Sequence, residues 1–218
     1  HGFACCTHGT LPAQFIGSVV SQLRQRGLTV IGWADWFGSA VYPLIPKPYF
    51  TDGHPDEVDL EEARAFGREL AERSRRVAAG ETGLIPELPT GSEYDERYEP
   101  VPMPVELVRE FERQMARLEF RINPDKCRYP KCHYCAENCP VGAIDLAASP
   151  AIFGRKCIEC GLCEQTCPQG AIEVDWQSVQ EIHDRLTVEW LEKSIDAFEA
   201  QGRFRRLVSR EEIGWDTP

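Results

Sequence analysis

The chain has 218 residues, room for one large domain or two modest ones, and carries a formal net charge of −11 with a pI near 5.0. That balance speaks against nucleic acid or acidic lipid as partners and suits docking to basic patches on other proteins. No apolar run approaches the roughly 20 residues that would span a membrane.

The chain starts at His1, not Met, and opens directly into a strand pattern, so further residues are expected upstream. Phe3-Ala4-Cys5-Cys6 reads as a short buried strand, its two thiols packed as small hydrophobes, ending at Thr7-His8-Gly9-Thr10. From Leu11 to Arg26, Ala13, Ile16, Val19, Val20 and Leu23 recur at helical spacing, and Gly27 is placed to end that helix. Leu28–Trp33 is a second strand, followed by an aromatic loop through Trp36, Phe37, Tyr42, Tyr49 and Phe50. His54 falls in a Gly-Pro-Asp turn and is expected to face solvent. Asp59 with Glu62 has the pattern of a capping box, opening a helix with Leu60, Ala63, Gly67, Leu70, Ser74 and Val77 on one face. Strand, helix, strand, loop, helix is the rhythm of a parallel α/β sheet, here residues 1–80.

Residues 81–103 are rich in Pro, Gly and acids and read as a linker. Pro104 can open a connecting helix over 104–122, with Leu107, Phe111 and Leu118 on a shared face. A cysteine-rich domain over 123–176 follows. Residues 177–218 then give a long amphipathic helix from about Gln177 to Gln201, ended by Gly202, and an aperiodic tail from Arg203 to Pro218. The tail, with Phe204, Leu207, Val208, Ile213 and Trp215, is expected to lie along another subunit or along the α/β domain.

Eight of the ten cysteines lie between residues 127 and 167. Disulfide frameworks spread over the fold they staple, so this clustering points to metal and to a reducing compartment. The second motif is Cys157-x2-Cys160-x2-Cys163-x3-Cys167-Pro168. Three thiolates in so tight a loop reach three irons of one cube, and the x3 spacing with the proline turns the fourth toward another. The first motif, Cys127-x4-Cys132-x2-Cys135-x3-Cys139-Pro140, superimposes on it at an offset of 28 residues, and Pro140–Ile144 falls on Pro168–Ile172. Two [4Fe–4S] clusters are therefore assigned, one to Cys127, Cys132, Cys135 and Cys167, the other to Cys157, Cys160, Cys163 and Cys139. At the common offset Tyr129 stands where Cys127 should be, so the first loop is enlarged by two residues; the alternative is an incomplete cluster on that side. Zinc knuckles have no need of this spacing twice over.

From about Asn123 to Trp176 the chain resembles bacterial-type two-cluster ferredoxins, which implies an α+β fold around both cubes and low-potential electron transfer. Phe3 to Ala79 resembles the C-terminal half of a flavodoxin. The likeness rests on Thr7-His8-Gly9-Thr10-Leu11-Pro12 after a strand, the helix and strand that follow, and Tyr49 with His54-Pro55-Asp56 entering a helix. The order of domains resembles flavodoxin–ferredoxin fusions. This implies an α/β flavodoxin-like portion before the ferredoxin-like domain, and Thr7, His8, Gly9 and Thr10 as the candidate FMN loop. The phosphate loop of a flavodoxin is not in these residues, and His8 and Gly9 also serve as an ordinary strand-to-helix turn.

No Ser/His/Asp set, P-loop or zincin motif is present. The leading expectation is an electron carrier, or an electron-transfer subunit of a larger oxidoreductase complex, working with redox partner proteins. A flavin-dependent reductase fed by the clusters and a docking subunit with a degenerate α/β part are the alternatives. By the family resemblance the setting is cytoplasmic and anaerobic.

Overall fold

The computed structural model describes residues 1–40, 42–148 and 151–214. In chain order its elements are β1 (Gly2–His8), α1 (Phe15–Gln25), β2 (Val30–Phe37), α2 (Glu57–Ala78), α3 (Ser92–Tyr98), α4 (Val105–Met115), β3 (Arg121–Ile122), α5 (Tyr134–Glu137), β4 (Ile144–Asp145), β5 (Ile152–Phe153), α6 (Leu162–Thr166), β6 (Ile172–Glu173), α7 (Gln177–Leu186) and α8 (Glu192–Ala200). They fall into two compact units, one of residues 1–40, 46–103 and 187–218, the other of 41–45 and 104–186. No helix among the described residues is long and apolar enough to cross a membrane.

In the first unit β1 and β2 pair in parallel, with Cys5 opposite Ala34 and His8 opposite Phe37. Successive strand residues point to opposite faces. Val30 therefore joins Ala4, Ile16 and Val20 beneath α1, while Ile31 packs on Leu70 and Val77 of α2. β2 runs on through Trp36 and Phe37, four residues further than the hydrophobic run suggests, because pairing with β1 continues that far. Cys5 is exposed and Cys6 half-buried, a correction to the expectation of two buried thiols: they sit on alternate faces, and only that of Cys6 meets the core. Tyr49 and Phe50 are fully buried core residues.

Residues 81–103 are not a bare linker. They contain α3, and its Tyr94 and Tyr98 complete the core under α1. The Tyr94 hydroxyl accepts from Gly17 N at 3.0 Å and donates to Ala13 O at 2.8 Å. Tyr94→Phe leaves both backbone groups short of a partner and is expected to cost about 1–2 kcal/mol, read as a lower thermal midpoint.

The helix over Glu57–Ala78 is capped one turn earlier than the sequence suggests. Asp56 is the N-cap, its Oδ1 accepting from Val58 N and Asp59 N, and Asp59 Oδ2 accepts from Asp56 N at 2.8 Å. Asp59 thus closes the box instead of opening it. Leu60 and Gly67 are exposed; Ala63, Phe66, Leu70 and Val77 face inward. His54 is also corrected. It is 4% exposed, with Nδ1 2.6 Å from Asp59 Oδ2 and Nε2 2.7 Å from Arg205 O. The carbonyl it meets comes from 151 residues along the chain, which no local pattern announces.

Arg205 also pairs with Asp56 through two contacts of 2.7 Å, Phe204 is buried against Phe37 at 4.7 Å, and Gly214 N donates to Pro48 O. Residues 203–214 accordingly lie along the α/β unit; Trp215 to Pro218 are outside the described residues. The expected single helix over 177–201 is interrupted by a π-helical turn at Thr187–Leu191, where the two units divide, and Gly202 follows α8 with φ +69.

In the second unit α4 packs on α7, and four strands of two residues each form two antiparallel pairs, β3 with β6 and β4 with β5. The 28-residue repeat is visible in the cysteine-rich part of this unit. α5 answers α6, and β4 answers β6. Gly142 and Gly170 share left-handed φ values of +58 and +54.

Candidate metal centre

Each cysteine loop leads into a short helix: Cys135 lies on α5 and Cys163 on α6. After each helix the chain turns at Cys-Pro, and the thiol at that turn accepts a backbone N–H. Ala143 N donates to Cys139 Sγ and Ala171 N to Cys167 Sγ, both at 3.3 Å. The two contacts are one contact repeated at the 28-residue offset. They were not anticipated from the sequence, although the shared Gly-Ala-Ile after each Cys-Pro marks the place.

Two clefts result. One is lined by Cys139, Cys157, Cys160 and Cys163 with Phe120, Ile144 and Phe153. The other is lined by Cys127, Cys132, Cys135 and Cys167 with Ile122, Ala171 and Ile172. Each combines three thiols of one motif with the last thiol of the other. Among the described residues no three His, Cys, Asp or Glu side chains converge as a single-ion site requires. Four thiols line each space, a donor set that suits an iron–sulfur cluster.

The electrostatics of the thiols separate into two kinds. Burial pushes Cys163 up to about 12, against a backbone N–H from Glu164, and the neighbouring sulfurs of Cys157, Cys160 and Cys135 add to the rise. Burial likewise raises Cys135, helped by Cys167 and Cys127. Cys139 is exposed enough that its burial is outweighed by the N–H groups of Ala143, Val141 and Gly142, which hold it below the usual thiol value. Several adjacent thiolates on apolar walls need a compensating cationic centre; N–H donors at the motif ends supply part of that stabilisation.

Gly161 sets the geometry of the second loop. Its φ is +68, and a Cβ there would lie 2.6 Å from Pro43 Cγ, in a ring that cannot turn aside. Gly161→Ala is expected to displace the segment between Cys160 and Cys163, with the iron bound per chain falling on gel filtration while the other loop keeps its share. Trp176 packs beside this loop, donating from Nε1 to Glu164 Oε2 at 2.7 Å and meeting Tyr42 and Phe120 edge-on at 5.7 Å.

Thr7 and His8 close the C-terminal end of β1, and Gly9 and Thr10 follow it. His8 is turned inward: its Nε2 is 3.1 Å from Asp35 Oδ2, both side chains are less than a tenth exposed, and its ring meets Phe37 edge-on at 4.5 Å. Arg203 reaches the same carboxylate with contacts of 3.1 and 3.0 Å.

Residues 126–172 form a ferredoxin-like iron–sulfur domain. The family model that they match is that of the 4Fe-4S dicluster domain, and iron–sulfur electron transfer is the function it supports. No curated protein and no solved structure matches the chain.

Proposed function

We propose that the protein is a low-potential electron carrier, or the electron-transfer subunit of a larger oxidoreductase complex, holding two [4Fe–4S] clusters. The single observation that carries this reading is the crossed lining of the two cavities, three thiols from one motif and one from the other in each. Cys127, Cys132, Cys135 and Cys167 would hold one cluster; Cys157, Cys160, Cys163 and Cys139 the other. When bound, such clusters supply reversible one-electron storage. The chain's own part is to hold sulfur in place, to donate hydrogen bonds to Cys139 and Cys167 from the Ala143 and Ala171 N–H groups, and to exclude water with Phe120, Phe153, Ile122 and Ile172. No acid–base residue is needed.

The parallel pair β1–β2 joined by α1 supports reading the first unit as a flavodoxin-like portion. Thr7, His8, Gly9 and Thr10 stand as the candidate FMN loop of that portion, with the His8 side chain turned to Asp35. The test is an anaerobic reductive titration of the intact protein followed at visible wavelengths. About two electron equivalents per chain are expected, one for each cluster. Uptake of one equivalent or none would sink the two-cluster reading.

A further inference from the structure

The two cysteine loops are not equivalent in one respect, and ligation does not account for it. The second motif reaches its cluster with a Cys-x2-Cys start; the first uses Cys127-x4-Cys132 and gains two residues that add no thiol. The enlarged loop changes what the surface presents. Between the exposed acids Asp125 and Glu137 the chain carries Lys126, Arg128, Lys131 and His133 with no carboxylate among them. The matching stretch of the second motif, Arg155 to Glu164, sets Arg155 and Lys156 against Glu159 and Glu164. Lys126, Arg128 and Lys131 are exposed, as are Tyr129 (41%) and Tyr134 (47%). Lys126 is paired with Glu173 at 2.9 Å. Arg128 gives Nε to the neutral Gln169, and among the described residues neither Arg128 nor Lys131 has a carboxylate partner. The second loop shows aliphatic Ile158 (60%) and Leu162 (38%) instead.

We infer that the Cys127–Tyr134 loop is the docking face for an acidic redox protein, which exchanges electrons with the adjacent cluster. The inference rests on the two-cluster reading and adds the partner's charge and place. On a chain of net charge −11, the centre of this loop, with Arg128 and Lys131 beside Tyr129 and Tyr134, carries a local excess of positive charge between its bordering acids. It draws in a partner whose carboxylates surround its own redox centre, and the overall negative charge disfavours other orientations. Tyr129 and Tyr134 supply flat apolar area at low conformational cost, while Arg128 and Lys131 supply the ion pairs. Each encounter moves one electron, oxidising one centre and reducing the other, with no proton or bond exchanged. The whole-chain charge points the other way, toward basic partners; the local charge decides because screening confines these interactions to about 10 Å.

Calorimetry on the oxidised, iron-replete full chain tests this without turnover, using an acidic single-cluster ferredoxin and a basic c-type cytochrome as probes. Binding to the acidic probe is expected, weakening about tenfold or more as salt rises from low to near-physiological levels. The pair Arg128→Glu with Lys131→Glu should weaken it at least tenfold, whereas Arg155→Glu with Lys156→Glu, an equal change in net charge, should leave it within about twofold. Preference for the basic probe, no binding of the acidic one, or equal losses in the two double variants would overturn the docking face and leave the clusters standing. A chain that holds no iron would overturn both.

Discussion

Cys163→Ser is expected to leave a protein that retains about half of its iron. Cys163 is the thiol whose charge the fold alone tolerates least: burial pushes it up to about 12, and the sulfurs of Cys157, Cys160 and Cys135 add to that. Its thiolate therefore depends on a bound cationic centre, and a serine oxygen at the same place is a harder, less acidic donor. The loss should stay local. Cys163 lines the cavity shared with Cys139, Cys157 and Cys160, whereas the other cavity draws on Cys127, Cys132, Cys135 and Cys167. Cys139→Ser gives the sharper result: although it belongs to the first motif, it should empty the cavity of the second. Iron analysis with reductive titration of both variants checks this. If Cys139→Ser instead behaved like Cys135→Ser, the crossed assignment would be wrong.

Asp35→Asn carries the largest expected loss of stability, about 3 kcal/mol or more. Asp35 is 6% exposed and meets both His8 and Arg203; Arg203, 20% exposed, lies over the rings of Tyr98 at 5.4 Å and Phe198 at 5.0 Å. The partners respond unequally. Burial alone would raise the Asp35 carboxyl, but the His8 hydrogen bond and the charges of Arg203, His8 and Arg97 hold it below 3.8. Arg203 is held below the ordinary arginine range, because its burial outweighs what Asp35 returns, yet it stays charged at any working pH. Removing the carboxylate leaves a buried cation without its counter-charge. Denaturant unfolding should show the loss, and adding Arg203→Met should recover part of it. The pH dependence follows from the sign of the shift. A carboxyl lowered on folding contributes fully above its unfolded value of 3.8 and loses that contribution as pH falls through the lower folded value. The acid limb of stability should therefore be steeper in the parent than in Asp35→Asn below pH 3.8.

What the sequence makes legible follows from where the constraints act. Ligand chemistry fixes spacing locally, so the two cysteine motifs and their repeat can be read directly, and the parallel α/β rhythm follows from hydrophobic period. The remainder depends on distant partners. His54 looks like a turn residue until Arg205 supplies a carbonyl from the tail, and Tyr94 sits in a Pro/Gly-rich stretch until Gly17 and Ala13 meet its hydroxyl. Acids at 56, 57, 59, 61 and 62 offer the capping box more than one register, and the extended backbone of Asp56 selects the one a turn before Asp59. The tail has no period of its own; Arg203, Phe204 and Arg205 are fixed by Asp35, Phe37 and Asp56. The basic lip over Cys127–Tyr134 was hidden by whole-chain charge, although the two-residue enlargement of the loop already marked it.

The most direct test is iron and acid-labile sulfide per chain, determined together on protein purified without oxygen. Two cubes held by crossed thiols predict about eight of each. A value near four, or zinc in place of iron, would contradict the assignment.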